Sequence, residues 1–245
     1  MIAQSRGLDV GSHRLSVCHS ERRVVSASEN GRVYIWNLDD LSLERTMTNQ
    51  VGFAAFAVIS EDGKSIYSGS FNDDLRVYAT ADGSEIRKVK AKQTGVRELA
   101  VDREQTIVLT RGYDGTAKGW AARDFRHLFT VPVGKPAVTF SQKEPYRIQV
   151  SPDGSLFATA GWDGEGRLFT IPLTVTSARR EGQEMKLEWC GGRPPFRLQQ
   201  RSSLSAGEWE NVSEDLTSRR LSIPVTGTRF YRIAGQPTPE PISNP

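Results

Sequence analysis

Histidine, cysteine and methionine are scarce: three, two and three in 245 residues. Cys18 and Cys190 stand 172 positions apart, which excludes a disulfide framework and a closely spaced metal-ligand set. His13 and His19 flank Cys18. Strand faces alternate with period two, so these three side chains do not share one face, and no metal is expected. No apolar run approaches the roughly 18 residues of a membrane helix, so no membrane insertion is expected. The first twenty residues lack the apolar stretch of a signal peptide. Charge of one sign is lacking too: 32 basic residues against 29 acidic give +3. That balance gives no electrostatic case for a nucleic-acid partner. Gly191-Gly192 lacks the Lys-Ser/Thr that completes a phosphate loop. The pairs Asp39-Asp40 and Asp73-Asp74 sit in turn-like contexts and read as solvated carboxylates rather than a general acid and base. No cofactor and no enzymatic activity are expected.

Against these absences, 22 glycines and many short β-rich runs stand out. Four segments align without gaps: Ser26–Trp36, Ser68–Tyr78, Thr110–Trp120 and Thr159–Phe169. Their starts are 42, 42 and 49 residues apart. Each begins with a hydroxyl residue, has Asn or Asp fifth, and ends on an aromatic ring. Asn-Gly, Asn-Asp or Asp-Gly at the centre suits the positive φ of a tight hairpin turn. A further strand precedes each hairpin, and a more polar one follows the first three. A polar outer strand fits an edge, where charge discourages pairing with other chains. Lys88, Lys90 and Lys92 on one such strand read in that way. Four antiparallel strands per 42 residues make one propeller blade.

These residues resemble the WD40 family over residues 1–172. The fold class expected is therefore all-β: a WD40-like β-propeller of four repeats, followed by a small C-terminal β-sandwich. The Trp-Asp dipeptide of the family is absent; Asn37 follows Trp36 and Ala121 follows Trp120. The resemblance implies hydrogen-bonded tetrads of His, Ser or Thr, Asx and Trp. Carried over by position, they are His13, Ser26, Asn30 and Trp36 in blade one, then Thr110, Asp114 and Trp120 in blade three. Thr159 and Asp163 remain in blade four, where Phe169 ends the repeat. The tetrads are incomplete, so blade stability is expected to rest more on apolar packing. Three closures fit the sequence. One is a four-bladed ring in which Ile2–Arg6 supplies the missing outer strand of blade four. Another is an open arc, part of a longer parent or pairing with a second copy. The last has further blades hidden in divergent sequence.

The residue before each Asx occupies the hairpin tip: Glu29, Phe71, Tyr113 and Trp162. In WD40-like propellers such tips share one face, where partners dock. Large aromatics there supply contact area at low entropic cost. Seven extra residues within Pro132–Tyr146 form a loop beside one of the faces.

Residues 173–235 read as six or seven short strands with half-buried alternation such as Lys186/Leu187/Glu188/Trp189. The order Leu198-Gln-Gln-Arg-Ser, then Trp209, then Phe230-Tyr-Arg resembles a fibronectin-III-like module found at the C-terminal ends of many bacterial proteins. Residues 236–245 carry four prolines and read as an extended tail. The expected function is a non-enzymatic interaction scaffold that binds a protein partner through one propeller face. The alternative is a secreted or cell-surface accessory protein that binds glycans or envelope proteins. The missing signal and disulfides favour the cytoplasm for the chain as given; the C-terminal resemblance favours export.

Overall fold

A computed structural model describes residues 12–48, 54–136, 147–161, 163–203, 205, 207–225 and 229–236. The described residues are all β, with no helix. The first twelve strands form three four-stranded antiparallel sheets, each running in chain order from the inner strand outward. Blade one holds β1 (Ser12–Cys18), β2 (Arg23–Ser28), β3 (Val33–Asn37) and β4 (Leu43–Met47). Blade two holds β5 (Ala54–Ile59), β6 (Ser65–Ser70), β7 (Asp74–Ala79) and β8 (Glu85–Lys90). Blade three holds β9 (Val96–Val101), β10 (Ile107–Gly112), β11 (Thr116–Ala121) and β12 (His127–Pro132). Blade four has three strands among the described residues: β13 (Arg147–Val150), β14 (Leu156–Ala160) and β15 (Gly166–Thr170). This is the architecture of a WD40-like propeller with a partial fourth blade.

The turns explain the register. The sixth repeat position takes positive φ in all four blades: 77° at Gly31, 68° at Asp73, 77° at Gly115 and 76° at Gly164. Three are glycine. Asp73 is the exception, and short polar Asp is one of the few other residues that enter this region readily. The preceding Asx side chain closes the turn by accepting an N–H two residues on. These bonds are Arg32 N–H to Asn30 Oδ1 (3.0 Å), Thr116 N–H to Asp114 Oδ1 (2.9 Å) and Glu165 N–H to Asp163 Oδ1 (3.2 Å).

Each blade has two faces. The forward face of blade one (Cys18, Val25, Ala27, Val33, Ile35, Met47) clusters with the rear face of blade two (Ala57, Ile59, Ile66, Tyr78). The forward face of blade two (Phe56, Tyr67, Leu75, Val77) clusters in turn with Leu99, Val108 and Trp120 on the rear face of blade three. The aromatics that end the second and third repeats, Tyr78 and Trp120, thus point back at the preceding blade. Burial of these rows, at about 25 cal/mol per Å² of apolar surface, is the main force holding successive blades together.

Two further sheets follow, β16-β17-β20 and β19-β18-β21. Their strands are β16 (Thr174–Glu181), β17 (Glu184–Cys190), β18 (Arg193–Arg201), β19 (Glu210–Asn211), β20 (Arg220–Pro224) and β21 (Phe230–Gln236). Leu187 and Trp189 of β17 form a core with Phe196 and Leu198 of β18. The Trp189 and Phe196 rings meet edge to face at 5.6 Å. By contacts the chain divides into two compact units: Met1–Val150 with Ala158–Arg167, and Ser151–Phe157 with Leu168–Pro245. Within the second, the buried Arg219 guanidinium donates to the carbonyls of Asp153, Gly191 and Gly192. It also lies over the Phe196 ring.

Candidate interaction face

The hairpin tips of blades two and three come together around one arginine. Phe71 and Tyr113 meet edge to face with centroids 5.6 Å apart. The Arg97 guanidinium, from the start of β9, lies 5.3 Å from the Phe71 centroid and 5.7 Å from that of Tyr113. Both distances are within cation–π range. Phe71 is half-buried, packed against the apolar cluster between these blades. Tyr113 is only 3% exposed, so the expected row of open rings is not present there. Gly95 explains the closeness: a Cβ at this position would stand 2.8 Å from the Phe71 carbonyl oxygen and 3.3 Å from the Tyr113 ring. Glu29 is half-buried at the tip of blade one. Trp162 lies outside the described residues.

The approach to this cluster is held by Asp73. Its Oδ1 accepts the Gln93 and Gly95 backbone N–H groups at 2.9 and 3.1 Å. Its neighbour Asp74 is buried and ion-paired to Arg76 (3.0 Å), Lys88 (3.3 Å) and Lys90 (2.8 Å). Arg76 also reaches Glu85 at 2.5 Å. Burial pushes the Asp74 carboxyl up, but the hydrogen bonds and charge of Lys90, Arg76 and Lys88 outweigh it and hold it below its ordinary value. The two carboxylates of this pair therefore brace the blade in different ways. Lys88 and Lys90 serve the same carboxylate.

The tetrad positions differ from blade to blade. Blade one keeps one link, Trp36 indole N–H to Ser26 Oγ at 3.0 Å. Asn30 instead donates through Nδ2 to the Tyr34 hydroxyl at 2.9 Å. The His13 side chain lies outside the described residues. Blade three has no histidine at the tetrad position, yet its chain of bonds is continuous. The Trp120 indole N–H donates to Thr110 Oγ1 (2.8 Å), and the Thr110 hydroxyl donates to Gln93 Oε1 (2.6 Å). The Gln93 amide N–H donates to Thr116 Oγ1 (3.1 Å), whose hydroxyl donates to Asp114 Oδ1 (2.7 Å). An amide both donates and accepts, so Gln93 links two hydroxyls. In blade four Thr159 Oγ1 is buried without a hydrogen-bond partner among the described residues. Phe169 has no N–H to offer it. Asp163 pairs instead with Arg167 at 2.8 Å, and that hydrogen bond holds its carboxyl below the ordinary range.

Gln93 and Arg97 carry no sequence signal. Gln93 precedes Thr110 by 17 residues, whereas His13 precedes Ser26 by 13, so spacing does not link them. Among the described residues no group of three or more His, Cys, Asp or Glu is placed to hold a metal. Nor does any described helix have the length and apolarity to cross a membrane.

Residues 134–170 match the family described as WD domain, G-beta repeat. Autophagy-related protein 16 of Arabidopsis thaliana is 24% identical over 182 residues. That match covers 71% of this chain and 34% of the relative, so the chain spans about a third of that protein's length. Among solved structures, the computationally designed Ika4 protein superposes with a TM-score of 0.56 at 18% identity. The superposition covers 70% of this chain and 98% of the designed one. At that identity the likeness is one of fold.

Proposed function

We propose that the chain is a non-enzymatic protein-interaction scaffold whose partner docks on the hairpin-tip face of the WD40-like blades. The observation that carries this reading is the Phe71–Arg97–Tyr113 cluster. It places a half-buried ring, backed by a buried guanidinium and a second, buried ring, at the tips of adjacent blades. Aromatic anchors are enriched among the residues that dominate protein interfaces. Phe71 offers the contact surface and Tyr113 supports it from beneath. By repeat position Glu29 is the counterpart on blade one and, in the sequence, Trp162 on blade four. In the same reading, residues 173–235 form the fibronectin-III-like module and 236–245 a tail. The similarity to the WD repeat family and to a plant autophagy-related protein supports a scaffold in general and names no partner.

The test is affinity capture with quantification of the bound proteins. A partner of this face is retained by the wild-type chain and by Arg87→Ala on the outer strand of blade two. It is lost by tenfold or more from Phe71→Leu, which keeps the packing but removes the ring, and from Glu29→Lys. Retention by both tip variants would move the interface elsewhere.

A further inference from the structure

In the C-terminal unit, Phe196 and Leu198 of β18 turn into the core. Arg197, Gln199 and Arg201 therefore alternate onto the opposite side of the sheet β19-β18-β21. The ladder sets their neighbours. Asn211 and Arg232 stand opposite Gln199, and Ala234 stands opposite Arg197. One hydrogen-bonded row crosses all three strands: Arg232 Nε donates to Gln199 Oε1 at 2.8 Å, and Gln199 Nε2 donates to Asn211 Oδ1 at 2.8 Å. The half-buried Trp209 ring lies beside this row, with the Arg201 and Arg232 guanidiniums each 4.5 Å from its centroid. Glu210 pairs with Gln200, out of phase with this row, and belongs to the other side of the sheet.

Two cations held on one ring are at most twice that distance apart. Stacking on an aromatic fixes a guanidinium plane and leaves its in-plane N–H groups for other work, and that fork matches a carboxylate. Arg232 is exposed, and among the described residues its side chain makes only the hydrogen bond to Gln199. Its two terminal nitrogens thus face outward from a fixed position. Gln199 also lines a cleft of about 540 Å³ with Pro195, Arg197, Asp215, Ala234 and Gln236. There Arg197 Nε donates to Asp215 Oδ1 at 2.6 Å. That bond holds the Asp215 carboxyl below its ordinary value, so the cleft carries a matched ion pair rather than a lone negative charge. Its lining mixes donors and acceptors and includes no large apolar side chain.

We infer that this face binds an acidic polysaccharide, with uronate carboxylates at Arg232 and Arg201 and sugar hydroxyls in the adjoining cleft. The stacked cations supply the charge complementarity. The cleft supplies the preference for a sugar, because hydroxyls both donate and accept, as its amides do. A peptide would be anchored instead by an apolar groove or a strand edge. The site lies wholly within the C-terminal unit, and the inference does not rest on the hairpin-tip face.

The test is titration calorimetry of the full chain with an oligogalacturonate of about ten sugar units. The wild-type chain is expected to bind it, with an affinity that falls as salt rises. The methyl ester of the same oligomer keeps the hydroxyls and loses the charge, and is expected to bind about tenfold more weakly or worse. Arg232→Gln is expected to lose about tenfold or more, the scale for a hydrogen bond to a charged group. Gln199→Leu, which releases Arg232 and alters the cleft, is expected to weaken binding as well. Arg87→Gln on the outer strand of blade two is expected to bind as wild type does. Unfolding midpoints are read alongside; where Arg232→Gln does not fold, Arg232→Lys keeps the charge, removes the fork and is expected to show the same loss. A wild-type chain that does not bind the oligogalacturonate overturns the inference. So does equal binding of acid and ester, or acid binding that the Arg232 and Gln199 variants leave unchanged. A poly-glutamate of the same length that binds as tightly would make this an acidic-peptide site and overturn the assignment to a sugar. Loss of a partner from Phe71→Leu would leave these affinities untouched, so the two readings fail separately.

Discussion

Blades three and four place a threonine at the same repeat position and treat it oppositely. Thr110 accepts from Trp120 and donates to Gln93, and both of its hydrogen-bonding roles are used. Thr159 is equally buried, and its hydroxyl meets no partner among the described residues. The difference begins ten residues downstream, where Trp120 supplies an N–H and Phe169 supplies only a ring. A repeat therefore fixes where a side chain sits, while its neighbours fix what it contributes. Blade two buries a charged cluster instead, gathering Arg76, Lys88 and Lys90 on Asp74.

The largest expected effect comes from breaking that charged cluster. Asp74→Asn leaves the buried Arg76 with Glu85 alone and is expected to cost about 3 kcal/mol at neutral pH, the scale for removing one partner of a buried ion pair. The sign with pH follows from the lowered carboxyl. Its stabilisation is complete above the ordinary Asp value of about 4 and is lost as pH falls through the lower folded value. Urea unfolding at pH 7 and at pH 3 should show the gap between wild type and Asp74→Asn narrowing on acidification. A gap that does not change with pH would remove Asp74 from the ion-pair account.

A middle-sized effect is expected from Thr110→Val, which keeps shape but strands the Trp120 N–H and Gln93 Oε1. Leaving buried groups unpaired costs about 1–3 kcal/mol. Thr159→Val makes the same chemical change in blade four and should be neutral or slightly stabilising, because it removes a hydroxyl that is already unpaired. Measured side by side as shifts in the unfolding midpoint, equal losses for the two valines would abolish the contrast between the blades.

The strands of blades one to three were legible from the repeat because local chemistry dictates them. Asx-Gly turns demand positive φ, and the polar outer strands mark the edge. The two three-stranded sheets of the C-terminal part follow the alternation around Trp189 and Phe196. The tip face was legible only in position. Phe71 and Tyr113 are adjacent as the repeat requires, but the burial of Tyr113 depends on Arg97 and Gly95, which lie 16 and 18 residues before it. Gln93 was illegible because a glutamine can do an imidazole's linking work without sharing its spacing. Lys88 and Lys90 read as edge charges because nothing local says that Asp74, opposite Lys90 in the ladder, turns inward.

Arg219 has a consequence for the order in which the protein is made. Its guanidinium serves the carbonyl of Asp153, 66 residues earlier in the chain. Residues Ser151–Phe157 group with the C-terminal unit. A ribosome delivers the turn at Asp153 well before the cation that completes it. Blades one to three can settle as they emerge, whereas the last repeat waits, unfinished, for a residue from the module that follows it.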